Sequence, residues 1–109
     1  MELREQMKAD LRQAMKARQS ASVATLRSAL AAIDNAEAVP VDDQTPIIPL
    51  VTHSPDVPRK VLSAADIRAI LQREVDERRS ASAEYAHLGQ TAEAERLTVA
   101  AELIASYLA

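Results

Sequence analysis

Leu3-Arg4-Glu5-Gln6-Met7-Lys8-Ala9-Asp10-Leu11-Arg12-Gln13-Ala14-Met15-Lys16 is the stretch whose reading decides the fold. Leu3, Met7, Leu11 and Met15 recur every four residues. Arg4, Lys8, Arg12 and Lys16 follow one step behind. On an α-helix the first set makes an apolar stripe and the second a basic ridge beside it. The stripe can bury into a helical partner while its shoulder stays solvated.

The spacing predicts a first helix over residues 2–18, with Ala14 adding to its apolar face. Glu2 and Glu5 near its start and Lys16 and Arg18 near its end suit the helix dipole. A polar break over Gln19 to Ser22 follows, with Ser20 or Ser22 as the cap of the next helix. That helix runs to about Glu37, with Val23, Leu26, Leu30 and Ile33 on one face and Ala29, Ala32 and Ala36 supporting helix propensity. So short a break predicts an antiparallel helical hairpin over 2–37.

Residues 39–61 differ. All five prolines lie between Pro40 and Pro58. Proline lacks an N–H and clashes with the preceding turn, so no regular helix is expected there. A connector this long is either functional or mobile, and mobility is the preferred expectation. The alternative is that Ile47, Ile48, Leu50 and Val51 pin part of it onto the helices.

Order is expected to resume at Ser63, which with Asp66 three residues on makes a capping signal. Ile67, Ile70, Leu71 and Val75 mark a third helix continuing through Tyr85 to Leu88. Gly89, the only glycine, stands where a left-handed helix stop is wanted. Thr91 is expected to cap a fourth helix, with Glu93 and Glu95 in its first turn. Its stripe is Leu97, Ala101, Ile104 and Leu108, flanked by Ala100 and Leu103. The expected fold class is therefore all-α: one domain over 1–109, a four-helix bundle-like arrangement of two hairpins (2–37 and 63–108) joined by a long proline-rich connector. No repeat of fixed period stands out.

Composition bounds what such a domain can do. A hydrophobic fraction of 48% over 109 residues supports a core and excludes a disordered chain. With no Phe and no Trp, that core rests on Leu, Ile, Val, Met and Ala. Small side chains let helices approach closely but bury little area, so modest stability is expected unless a second copy or another partner adds surface. The net charge of −3 argues against indiscriminate nucleic-acid binding and leaves room for a local basic ridge. The absence of Cys excludes disulfides, thiolate metal ligands and Cys nucleophiles. No run is long and apolar enough to span a bilayer, so no membrane association and a cytoplasmic location are expected.

Candidate chemistry is sparse. The ridge Arg4, Lys8, Arg12 and Lys16 reads either as a phosphate-contacting edge for RNA or as a solvated flank whose stems cover the stripe. The flank is the commoner outcome for such a pattern. Arg27 either reaches a carboxylate on another helix or faces outward. Arg68, Arg73, Arg78 and Arg79 are interleaved with acids, and the spacings Glu74 to Arg78 and Asp76 to Arg79 favour ion pairs within the helix. His53 and His87 lack the converging ligands a metal site needs, so no metal and no cofactor are expected. There is no Gly-x-Ser-x-Gly elbow, and one glycine cannot build a phosphate loop. Tyr85 and Tyr107, near helix ends, are expected to close the core. The absence of motifs shifts the odds from catalysis toward a binding role.

Leu3 to Leu11, then Ala14-Met15-Lys16-Ala17-Arg18, Thr25-Leu26-Arg27, and Ala32-Ile33-Asp34-Asn35-Ala36-Glu37 resemble the YqeY-like proteins. Glu74 with Arg78-Arg79, Tyr85, Gly89 and the closing Tyr107-Leu108 extend the likeness to nearly the whole chain outside the connector. The resemblance implies an all-helical fold. It also implies kinship with the tail region of the B subunit of the glutamyl/aspartyl-tRNA amidotransferase. That enzyme amidates mischarged tRNA with glutamine as nitrogen donor, and its tail helps engage tRNA. Carbon–nitrogen ligase activity is thus implied for the family by label, with no catalytic residue to carry over here. Family members usually continue past the Tyr-Leu helix into a second small helical module, which this chain is expected to lack. The connector is longer and richer in proline than the family leads one to expect. Gln90 stands where a basic residue commonly follows the glycine.

The resulting expectation is a non-catalytic accessory domain in tRNA-dependent amidation or tRNA handling, with Arg4, Lys8, Arg12, Lys16 and Arg27 as candidate RNA contacts. Its expected partners are tRNA, amidotransferase subunits, or both. The competing expectation is a protein-interaction module or homo-oligomer that never touches RNA.

Overall fold

A computed structural model describes residues 2–38 and 61–109. The expected connector over 39–61 lies outside them, except for the exposed Val61. Four helices follow in order: α1 (Leu3–Lys16), α2 (Ser20–Ala38), α3 (Ala64–His87) and α4 (Thr91–Ser106). Among the described residues there is no strand.

The apolar stripes account for the packing. Met7 of α1 meets Leu26, Ala29, Leu30 and Ile33 of α2, Ile67, Leu71 and Val75 of α3, and Ala101 and Ile104 of α4 in one core. α1 pairs with α2, and α3 pairs most extensively with α4. α2 packs substantially against all three other helices, so it joins the two hairpins. Its face of Leu26, Leu30 and Ile33 supplies the larger side chains, and Ala29 lets a neighbour come close.

Each hairpin turns in the same way. In the second, the N–H of Gln90 donates to the Tyr85 carbonyl at 2.8 Å and that of Gly89 to Ala86 at 3.0 Å, with Gly89 at φ 78. In the first, Gln19 donates to Ala14 at 2.9 Å and Arg18 to Met15 at 3.2 Å, with Arg18 at φ 57. Both are Schellman stops, in which a left-handed residue folds two N–H groups back onto the last free carbonyls. α1 therefore ends at Lys16, short of the expected 18, because Arg18 has left helical space. Ser20 is already the first residue of α2, and Gln19 receives the first helical bond, from Val23 at 3.0 Å. The fourth helix repeats the pattern: Gln90, not Thr91, is its N-cap, with no side-chain bond.

Ser63 caps α3 as expected. Its hydroxyl accepts from the Asp66 N–H at 3.0 Å, and the Asp66 carboxylate accepts from the Ser63 N–H at 3.0 Å. Polar ties then fix the helices to one another. Buried Ser82 bonds the Ala94 carbonyl at 2.7 Å and Thr98 Oγ1 at 2.8 Å, between α3 and α4. Arg78 holds Glu74 at 2.9 Å within α3 and Ser28 of α2 at 2.9 Å. The Tyr107 hydroxyl donates to Asp10 of α1 at 2.6 Å, and Arg68 donates to the Leu108 carbonyl at 2.7 Å.

Candidate nucleic-acid interface

The basic ridge divides when the helices pack. At its open end, Arg4 Nη1 lies 3.0 Å from Glu37 Oε2, and the two side chains are only 16% and 26% exposed. Arg4 thus pins the start of α1 to the end of α2 and takes no part in the free surface. Lys8 reaches Glu5 at 3.5 Å with both side chains solvated, a pairing that water and salt weaken readily. Arg12 and Lys16 are exposed and make no ion pair among the described residues. Arg27 faces outward and extends to Met15, with its Nη2 4.0 Å from the sulfur.

Met15 was expected in the apolar stripe, yet it is 49% exposed while Ala14 is 4% exposed. The cause is helical geometry. A spacing of four overshoots a full turn by about 40° per step, so a strict four-residue stripe winds off the buried face. Met7 and Ala14, seven apart, stay in line, and Met15 emerges on the flank. There it forms the floor of a shallow depression of about 440 Å³, lined also by Arg18, Ser20, Val23, Ala24 and Arg27.

Arg18 is the residue that local spacing failed to nominate. It sits at the turn with positive φ and lines the depression together with Arg27. Lys16 adjoins Met15 in the chain, and Arg12 lies one helical turn back. The legible signal is an absence: no Asp or Glu occurs between Asp10 and Asp34, a stretch holding Arg12, Lys16, Arg18 and Arg27. Four cations therefore gather at the turn end of hairpin one, on a chain whose net charge is −3.

The other basic group is largely committed. Arg68 and Arg78 are bonded as described, and Glu74–Arg78 is the ion pair expected from their spacing. Asp76 instead accepts from Gln72 at 2.9 Å and makes no pair with Arg79. Arg73 and Arg79 are exposed. His87 is exposed at the end of α3, and His53 lies outside the described residues. Glu93 and Arg96 bond each other on the surface of α4, which holds the Glu93 carboxyl below its ordinary range. Among the described residues, no helix is long and apolar enough to cross a membrane, and no three His, Asp or Glu side chains converge as metal ligands.

An apolar floor rimmed by guanidinium groups can receive phosphate oxygens in paired hydrogen bonds and can stack against a flat ring. The arrangement defines a small all-helical, double-hairpin domain with a contact surface at one turn. The chain belongs to the YqeY-like protein family, whose model matches residues 4–109. No curated protein and no solved structure matched the chain in the corresponding comparisons.

Proposed function

We propose that this YqeY-like chain is an accessory domain without catalysis of its own that contacts tRNA through the turn of hairpin one, in tRNA-dependent amidation or tRNA handling in the cytoplasm. The observation that carries the reading is the acid-free stretch 11–33, in which Arg18 and Arg27 line the depression beside exposed Met15 and Arg12 and Lys16 stand exposed on the preceding helix. The amidation setting rests on the family's likeness to the amidotransferase B-subunit tail. On that reading, ligase chemistry with glutamine as amido donor belongs to catalytic subunits that the domain joins.

Titration against tRNA at several ionic strengths tests it. Each phosphate contact adds about 0.7–0.9 to the slope of log K against log salt. The double variants R12E/K16E and R18E/R27E are each expected to lower affinity at least tenfold and flatten that slope, whereas K8E, about two helical turns from Met15, changes it less. Affinity indifferent to salt and to both double variants would remove the RNA reading.

A further inference from the structure

A second open surface adjoins the basic turn. Between the hairpins runs a groove of about 1090 Å³, with Ser20, Ala24 and Ser28 of α2 on one side and Ala92, Val99 and Leu103 of α4 on the other. Val99, one of its lining residues, is 61% exposed. The charges of this groove are not balanced. Arg78 is paired with Glu74 and Arg96 with Glu93. Glu95 and Glu102 also line it and make no ion pair among the described residues. Seven residues apart, they lie two turns from one another along one edge of Val99. The groove thus offers exposed apolar surface beside two carboxylates without a paired cation among the described residues.

The depression at the turn is its complement, with exposed Met15 lined up beside Arg18 and Arg27. The two surfaces are contiguous, because Ser20 and Ala24 line both. Adjacent patches of opposite character satisfy each other when a second copy is rotated by a two-fold axis passing between them. The small side chains of α2 along that line, Ser20, Ala24 and Ser28, let the two copies come close.

We propose that a second copy of this chain covers the groove, in a two-fold dimer where the basic turn of each molecule sits in the acidic groove of the other. Met15 then meets Val99 across the interface, and Arg18 and Arg27 meet Glu95 and Glu102 of the other copy. Both arginines also serve the proposed tRNA contact, but the dimer does not rest on that reading. Glu95 and Glu102 belong to the dimer alone.

Sedimentation velocity on the RNA-free chain, across a dilution series at low and high salt, tests the proposal. The wild type is expected to pass from one chain to two as concentration rises and to dissociate in high salt. E95K/E102K and R18E/R27E, all at exposed positions, are each expected to stay monomeric with unchanged helical circular dichroism. An equimolar mixture of the two variants is expected to restore the dimer, since each basic patch then finds an acidic one. A wild type that stays monomeric at every concentration would overturn the proposal. So would a dimer that survives in both variants, or two monomeric variants that fail to associate when mixed. The same variants separate the two readings: the dimer and tRNA compete for Arg18 and Arg27, so E95K/E102K should lose the dimer and bind tRNA at least as tightly as the wild type, whereas R18E/R27E should lose both.

Discussion

Arg18 and Gly89 hold the same place in two equivalent turns, yet only glycine enters left-handed backbone without strain. For an L-residue the Cβ crowds the following carbonyl there, at about 1 kcal/mol or somewhat more. A Cβ added at Gly89 meets nothing within 4 Å, so the cost of Gly89→Ala is one of backbone conformation alone. Urea unfolding should show Gly89→Ala less stable by about 1 kcal/mol. Arg18→Gly should lose nothing and gain up to about 1 kcal/mol, its relief partly offset by the freer unfolded chain. A Gly89→Ala protein as stable as the wild type would contradict this. A strained residue that persists calls for a compensating use. Here the strained residue lines the basic depression, from which both proposed contacts draw.

At the scale of the helix, α3 depends on its first turn. Ser63→Ala removes an acceptor from the Asp66 N–H and is expected to lower stability by about 1 kcal/mol, with faster hydrogen exchange confined to the first turn of α3. That cap was legible in sequence because its two partners are three residues apart. So were the buried faces of α2, α3 and α4, where Leu26, Leu30, Ile33, Ile67, Leu71, Val75, Ala101 and Ile104 keep helical spacing and are buried as the pattern predicts. The cap of α4 was not legible. Thr91 has the better capping side chain, but the Schellman stop after Gly89 fixes where the chain can restart, and that point is Gln90. Met15 escaped because a four-residue spacing looks like a helical stripe over two turns and departs from it over four. The candidate site was half legible for a related reason. Arg4 follows the ridge in local spacing, but its partner Glu37 lies on another helix, and no local pattern announces it. Arg18 belonged to the site through a backbone turn rather than through any helical period.

Across the whole molecule, the docking of the hairpins relies on few polar ties, and Tyr107 to Asp10 is the one that titrates. Burial first, then the hydrogen bond and the charge of Asp10, push the Tyr107 phenol well above its ordinary range. A raised value in the fold means that folding favours the neutral phenol. Its contribution is therefore complete below about pH 10, the unfolded value, and is lost as pH rises beyond it. Urea midpoints measured from neutral pH upward should fall in that alkaline window. Tyr107→Phe is expected to be less stable by about 1 kcal/mol at neutral pH and to show a shallower alkaline fall. An unchanged alkaline slope in that variant would contradict the assignment. The same contact has an optical use. With no tryptophan present, ultraviolet emission comes from Tyr85 and Tyr107 alone. A phenol bonded to a carboxylate gives up its proton in the excited state and glows weakly. Brightening on separation of α1 from the end of α4 would make the chain its own label-free gauge of hairpin docking.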